Sequence, residues 1–148
     1  SIAGLYSLKG TTYCNYCPEG KFSREGSSSC EACPAGTYSK KGASTCIKCL
    51  AGTFSNFGSS KCIICPVGYY SLDGASSCIK CKTGYYAQRG SSKCTICPAW
   101  TYSVDDLSKC LSCAAGSYSK EGSSSCDICP AGTYSKRNSA SCTQCLAG

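Results

Sequence analysis

The cysteines are the residues whose spacing in this sequence points to a specific chemistry. All 18 lie in C-x-x-C pairs, and each pair follows the previous one after sixteen residues with no insertion or deletion. The first cysteines of the pairs are Cys14, Cys30, Cys46, Cys62, Cys78, Cys94, Cys110, Cys126 and Cys142. Pairs of this kind serve zinc binding, thiol–disulfide exchange or structural bridging.

The arrangement of the pairs argues against the first two chemistries. A zinc knuckle combines two C-x-x-C pairs around one ion, but nine pairs cannot be divided into twos and the chain has no histidine to replace a missing ligand. A redox pair opens a helix within a βαβ unit, and no segment here has helical periodicity. We therefore expect structural disulfides, with no metal and no cofactor.

Two schemes of bridging join cysteines across repeats. In the favoured scheme the second cysteine of one pair bridges to the first of the next and encloses a repeat of about 14 residues, which stabilises it by roughly 3 kcal/mol in the chain-entropy model. The predicted bridges are Cys17 with Cys30, Cys33 with Cys46, Cys49 with Cys62, Cys65 with Cys78, Cys81 with Cys94, Cys97 with Cys110, Cys113 with Cys126 and Cys129 with Cys142. An interlaced scheme, Cys14 with Cys30 and Cys17 with Cys33, stays open.

The residues between the ends of a bridge predict a short β-hairpin. In the repeat 33–46, the segment 36–39 is the first predicted strand, Lys40-Lys41-Gly42 the turn and 43–46 the second strand. The turn glycine recurs in every repeat except where Asp106 and Asn138 replace it, so we expect a left-handed backbone there. The other glycine phase lies three residues after the second cysteine, is interrupted once by Trp100, and is expected to serve close packing instead.

The apolar content is too low for an ordinary globular core. Leu, Ile, Val and Phe together make 19 of 148 residues, a proportion typical of disordered chains unless cross-links order them. Cysteine, at 18 of 148 residues, reaches the level of a disulfide scaffold. The predicted fold class is small, disulfide-rich and mainly β or irregular: an elongated one-dimensional array of hairpin repeats with no helix and no single globular core.

We interpret residues 1–148 as one continuous array of sixteen-residue repeats. Its repeats are a partial one at 1–14, then 17–30, 33–46, 49–62, 65–78, 81–94, 97–110, 113–126 and 129–142, with 143–148 starting a further repeat.

An aromatic residue follows each second cysteine by five positions. These aromatics are Tyr6, in the same phase ahead of the first pair, and Phe22, Tyr38, Phe54, Tyr70, Tyr86, Tyr102, Tyr118 and Tyr134. We expect them to line the stem of the array and to pack against the bridges and the isoleucines of the C-x-x-C pairs.

Charge and composition exclude several classes of function. The net charge of +7 is scattered over the repeats, whereas a nucleic-acid-binding protein concentrates its basic residues in a patch or stripe. Because histidine is absent and carboxylates such as Asp105 and Asp106 lie in predicted turns, no catalytic constellation is visible. We therefore expect neither nucleic-acid binding nor enzymatic activity.

The cysteine content also indicates the compartment. Stable disulfides form in oxidising surroundings, so we expect a secreted or cell-surface location. No apolar run approaches the roughly twenty residues of a membrane span, and we expect no membrane insertion by this segment. Serine-rich runs such as Ser27-Ser28-Ser29 and Ser123-Ser124-Ser125 are candidate sites for O-glycans.

A family resemblance follows from the repeat pattern C-x-x-C-P-x-G-x-[YF]-S-x-x-G-x-S-x-C. It resembles the ephrin-receptor-like cysteine-rich repeat, found in tandem in many extracellular and protist surface proteins, and is similar to one module of tumour-necrosis-factor receptor domains. In that receptor module the corresponding cysteines bridge around the hairpin, so the resemblance implies the scheme that encloses each repeat. It further implies an extracellular, non-catalytic stalk, adhesion surface or binding arm.

These observations together predict a structural function as a stalk, filament or surface-coat component. Cys14 and Cys145 stay single in the favoured scheme, which suggests head-to-tail self-association through a bridge between chains, or else a longer array cut at both ends. The alternative is a receptor-like or adhesive arm that binds an extracellular protein or a glycan. Its candidate contact patch is Trp100, Val104 and Leu107.

Overall fold

The computed structural model describes residues 2–105 and 108–146, and each repeat in it folds as a two-stranded antiparallel hairpin. The strands are β1 Leu5–Tyr6, β2 Asn15–Tyr16, β3 Lys21–Phe22, β4 Glu31–Ala32, β5 Thr37–Tyr38, β6 Ile47–Lys48, β7 Thr53–Phe54, β8 Ile63–Ile64, β9 Tyr69–Tyr70, β10 Ile79–Lys80, β11 Tyr85–Tyr86, β12 Thr95–Ile96, β13 Thr101–Tyr102, β14 Leu111–Ser112, β15 Ser117–Tyr118, β16 Asp127–Ile128, β17 Thr133–Tyr134 and β18 Thr143–Gln144. They pair in chain order, β1 with β2 through β17 with β18, so the described residues contain nine hairpins and no helix. This confirms the predicted fold class of a small, disulfide-rich, mainly β or irregular chain of hairpin repeats without a helix. A search of the same residues finds no helix that could span a membrane.

The second strand of each hairpin lies between the two cysteines of a C-x-x-C pair. In the third hairpin Tyr38 lies opposite Ile47 and Thr37 opposite Lys48, so the prediction of a second strand at 43–46 was wrong. Ala43 forms a parallel bridge with Phe22 of the preceding hairpin instead. Because this pairing takes the backbone of Ala43, the strand that completes the hairpin lies four residues later.

Two tight turns bound the first strand of a hairpin. At the tip, the N–H of Ala43 donates to the carbonyl oxygen of Lys40 over 3.2 Å, and Gly42 has a φ of +73°. The predicted left-handed position is therefore confirmed, including its non-glycine occupant Asn138 at φ +63°, while Asp106 lies outside the described residues. The other glycine of the repeat is also left-handed, as in Gly36 at φ +83°, which was not predicted.

The buried residues of a repeat are small and lie three positions apart. Cys33, Gly36 and Ser39 are all buried, and Cys33 and Ser39 have no exposed surface. By contrast, Ile47 on the second strand is 52% exposed. Cysteine, glycine and serine thus form the interior, which explains how a chain so poor in large apolar residues is ordered.

The chain divides into two compact units. The first comprises Ser1–Cys65 and Ser71–Cys78, and the second Pro66–Tyr70 and Ile79–Gly148. Inside each unit, backbone hydrogen bonds that recur at the same positions of the repeat join neighbouring hairpins. One of them runs from the N–H of Gly20 to the carbonyl oxygen of Ser39 over 3.0 Å.

Candidate functional site

The disulfides found among the described residues are those of the scheme that encloses each repeat. Eight bridges run from Cys17–Cys30 to Cys129–Cys142 at intervals of sixteen residues, each with a Cα–Cα distance of 5.7 or 5.8 Å. The interlaced pairing is not seen there. A bridged cysteine holds no thiolate, so these residues provide neither a zinc ligand nor a thiol for exchange.

Two cysteines stand outside this pattern. Cys14 and Cys145 are exposed and have no bridge partner in the described part of the chain. A disulfide to a second molecule can therefore form at either residue without breaking an existing bridge.

A buried serine connects most of the described hairpins to the preceding one, a role that was not predicted. Ser39 follows the aromatic of its repeat, and its hydroxyl donates to the backbone carbonyl oxygen of Lys21, eighteen residues earlier, over 2.9 Å. The same bond is made by Ser23, Ser55, Ser71, Ser103, Ser119 and Ser135. Ala87 occupies the equivalent buried position without a hydroxyl. The signal was the near-invariant serine after the aromatic, at a position where a solvent-facing strand residue would vary.

The left-handed glycines bring alternate hairpins into close contact. A Cβ on Gly36 would overlap the backbone carbonyl oxygen of Gly74, 38 residues later, and a Cβ on Gly84 would overlap that of Gly122. These glycines therefore serve the close packing that was expected, and they also have a positive φ. Both requirements exclude a side chain at these two positions.

A second contact between alternate hairpins joins residues 25 apart. The earlier of the two residues immediately precedes the second cysteine of a C-x-x-C pair. The later one lies at the tip of a hairpin. In the first unit, the ammonium nitrogen of Lys41 lies 5.9 Å from the centroid of the Tyr16 ring. In the second unit, the ammonium of Lys80 lies 3.2 Å from a carboxylate oxygen of Asp105. Within each unit, these contacts thus join hairpins that are next-but-one neighbours.

The predicted stem aromatics lie on the first strands of the hairpins. From Tyr6 to Tyr118 they are half-buried, and Tyr134 is exposed. Three of them lie directly opposite predicted isoleucine partners: Tyr38 with Ile47, Phe54 with Ile63 and Tyr70 with Ile79. The fully buried side chains among the described residues are cysteines and serines, with no aromatic ring among them.

The predicted contact patch is described in part. Trp100 is 39% exposed and Val104 is 47% exposed, while Leu107 lies outside the described residues. Trp100 takes the place of a left-handed glycine, with a φ of +66°.

Three shallow grooves recur at intervals of 32 residues, twice the sequence repeat. Their volumes are about 510, 430 and 350 Å³. Each groove is lined by an aromatic residue, by a disulfide bridge and by two positions whose charge differs between the grooves. Those residues are Tyr38, Lys48 and Lys61 in the first groove, Tyr70, Lys80 and Lys93 in the second, and Tyr102, Ser112 and Ser125 in the third.

Comparison with known proteins identifies repeats in the middle of the chain. Residues 36–68 and residues 52–83 each match the family model described as tyrosine-protein kinase ephrin type A/B receptor-like. No curated protein sequence matches the chain significantly.

Proposed function

From the ephrin-receptor-like cysteine-rich repeats that residues 36–83 carry, we propose that the chain is an extracellular structural array, used as a stalk, filament or surface-coat component. The observation that carries this proposal is the recurring hydrogen bond from a buried serine to the backbone eighteen residues earlier. An architectural protein needs one contact that every repeat can make, because repeats can then be added or removed without creating a new kind of interface.

The many disulfides and the family of the matched repeats both indicate an extracellular module. Such a protein folds in the secretory route, where the bridges that replace a large apolar core can form. Exposed serines after the hairpin tips, such as Ser28 and Ser124, are the positions we propose for O-glycans.

The spacing function is tested by in-frame deletions that preserve the register. Removal of residues 49–80 joins Lys48 to Cys81, and removal of 49–112 joins Lys48 to Cys113, so a C-x-x-C pair survives in each variant. We expect the maximum dimension in small-angle X-ray scattering to fall in two equal steps while the thermal midpoint stays within a few degrees. A dimension that does not scale with the number of repeats would contradict the proposal.

Self-association is proposed to proceed head to tail, through Cys145 of one chain and Cys14 of the next. Both residues are exposed and outside the bridges. Under mild oxidation, non-reducing electrophoresis should show a ladder of covalent oligomers. The single variants Cys14→Ser and Cys145→Ser should each abolish the ladder, whereas a dimer that persists in one of them would indicate pairing of like ends and refute the head-to-tail bond.

The alternative function, a receptor-like or adhesive binding arm, is supported by the exposure of Trp100 and Val104. A monomeric protein that binds an extracellular partner and loses that binding on Trp100→Gly would favour it over the structural array.

A further inference from the structure

The grooves that recur every 32 residues share one geometry and differ in charge. Lys48, Lys80 and Ser112 occupy one equivalent position, and Lys61, Lys93 and Ser125 another. Lys40 adds a third ammonium to the first groove and Lys82 a third to the second. The third groove has no lysine among its described lining residues.

The described linings of the two lysine-lined grooves hold three lysines each and no carboxylate, and Asp105 beside Lys80 offsets one of the three charges of the second groove. The excess of positive charge favours an anionic ligand. All of their cations are lysines, whose ammonium is a point charge without the planar fork by which arginine selects a carboxylate. Such a site responds to the density of negative charge on its ligand. Lys80 lies 3.2 Å from a carboxylate oxygen of Asp105, so the lysines of the second groove that face an anionic ligand are Lys82 and Lys93.

The walls of the grooves suit a sugar ring better than a peptide strand. The backbone N–H groups of Cys49 and Thr53 in the first groove already donate to Gly36 and Leu50. These groups therefore offer no free sheet edge for an extended peptide to join. What the groove presents is side chains: a tyrosine ring, aliphatic lysine stems and ammonium groups.

We propose that the first and second grooves each bind a short segment of an anionic polysaccharide. The sulfate or carboxylate groups of the polysaccharide lie against the lysines, and its sugar rings pack beside Tyr38 and Tyr70. Volumes of about 510 and 430 Å³ fall within the range of small-molecule sites. This binding goes beyond the structural function and does not depend on it, since the array stands whether or not the grooves are filled.

The third groove indicates which substitutions to make, because its serines lie at the positions that lysines occupy in the other two grooves. The variant Lys48→Ser/Lys61→Ser/Lys80→Ser/Lys93→Ser gives both charged grooves the serines of the third. The matched control, Lys21→Ser/Lys109→Ser/Lys120→Ser/Lys136→Ser, removes four exposed lysines that line none of the three grooves. Both variants lower the net charge from +7 to +3.

Binding of a heparin-derived tetrasaccharide is measured by isothermal titration calorimetry in about 50 mM salt. The wild-type chain should take up two molecules, the groove variant should lose at least tenfold in affinity, and the control should change less than twofold. The reciprocal variant Ser112→Lys/Ser125→Lys should raise the stoichiometry to three. Equal losses in the groove variant and the control would show binding by net charge alone, and tighter binding of a glutamate hexapeptide would show a peptide site. Either result, or no binding by the wild type, would overturn the proposal without bearing on the structural function.

Discussion

The hydroxyl of Ser39 donates a hydrogen bond to the backbone carbonyl oxygen of Lys21 over 2.9 Å, although eighteen residues separate the two. Ser39 has no exposed surface, so this bond satisfies a hydroxyl that lies in the interior. Repeated along the chain, it is a side-chain link between successive hairpins in addition to their backbone bonds.

Replacement of Ser39 by alanine should lower the stability of the array. The carbonyl oxygen of Lys21 would lose a part-buried hydrogen bond, which costs about 1 kcal/mol. Guanidinium denaturation with the disulfides intact should show the corresponding fall in the free energy of unfolding. Substitution of Ser28, an exposed serine of the neighbouring repeat, serves as the control and should change it by less than about 0.5 kcal/mol.

Ala87 allows the same bond to be tested by gain. It is 2% exposed at the position of the buried serines, and the backbone oxygen eighteen residues earlier belongs to Tyr69. Ala87→Ser should therefore raise the free energy of unfolding by about 1 kcal/mol. A stability unchanged or lowered in Ala87→Ser, although Ser39→Ala is destabilised, would show that the hydrogen bond is not by itself the source of the stability.

The features of the fold that depend on the local sequence were predictable. The sixteen-residue period indicated the hairpin array, and the exchange of glycine for Asn138 indicated a left-handed tip, because asparagine tolerates that conformation better than most residues. The position of the second strand was not predictable in this way. Its location depends on the pairing of Ala43 with Phe22 of another repeat, and a pattern within one repeat carries no information about that bond.

The grooves were missed for a related reason. Lys48, Ile64, Lys80 and Ile96 alternate between charged and apolar residues at one phase of the repeat. When the repeats are compared at sixteen residues, this alternation looks like variation. It gains meaning from the grooves, because Lys48 and Lys80 line two of them at equivalent positions 32 residues apart.

The pairing of the cysteines can be tested by digestion at lysine without reduction. Cleavage after Lys48 and Lys80 separates neighbouring repeats, because these residues lie inside C-x-x-C pairs. The bridge between Cys49 and Cys62 should then yield a disulfide-linked species spanning 49–80. Interlaced pairing would instead join Cys46 to Cys62, Cys78 to Cys94 and Cys81 to Cys97, and so add the peptides 42–48, 81–82 and 94–109 to the mass of that species.

Trp100 should be less favourable than glycine at its position. A side chain in the left-handed region costs roughly 1–2 kcal/mol, and Trp100 has a φ of +66°. Trp100→Gly should therefore raise the thermal midpoint by a few degrees, while Trp100→Ala, which keeps the strained Cβ, should not. A marked fall in the midpoint of the glycine variant would show that packing of the indole outweighs the strain.

Gly36 and Gly116 separate the effect of backbone strain from that of steric overlap. Both have a φ of +83° and the same phase of the repeat, but a Cβ on Gly36 would overlap the carbonyl oxygen of Gly74, whereas one on Gly116 would meet nothing within 4 Å among the described residues.

Alanine at Gly116 should cost only the conformational strain, about 1 kcal/mol. Alanine at Gly36 should cost roughly 1–3 kcal/mol more, the usual penalty of overpacking, since the backbone of the next-but-one hairpin must move away. The difference between the two variants in guanidinium denaturation therefore measures the contact between alternate hairpins. Equal losses would show that this contact does not hold the hairpins together, and that the glycine is required for its φ alone.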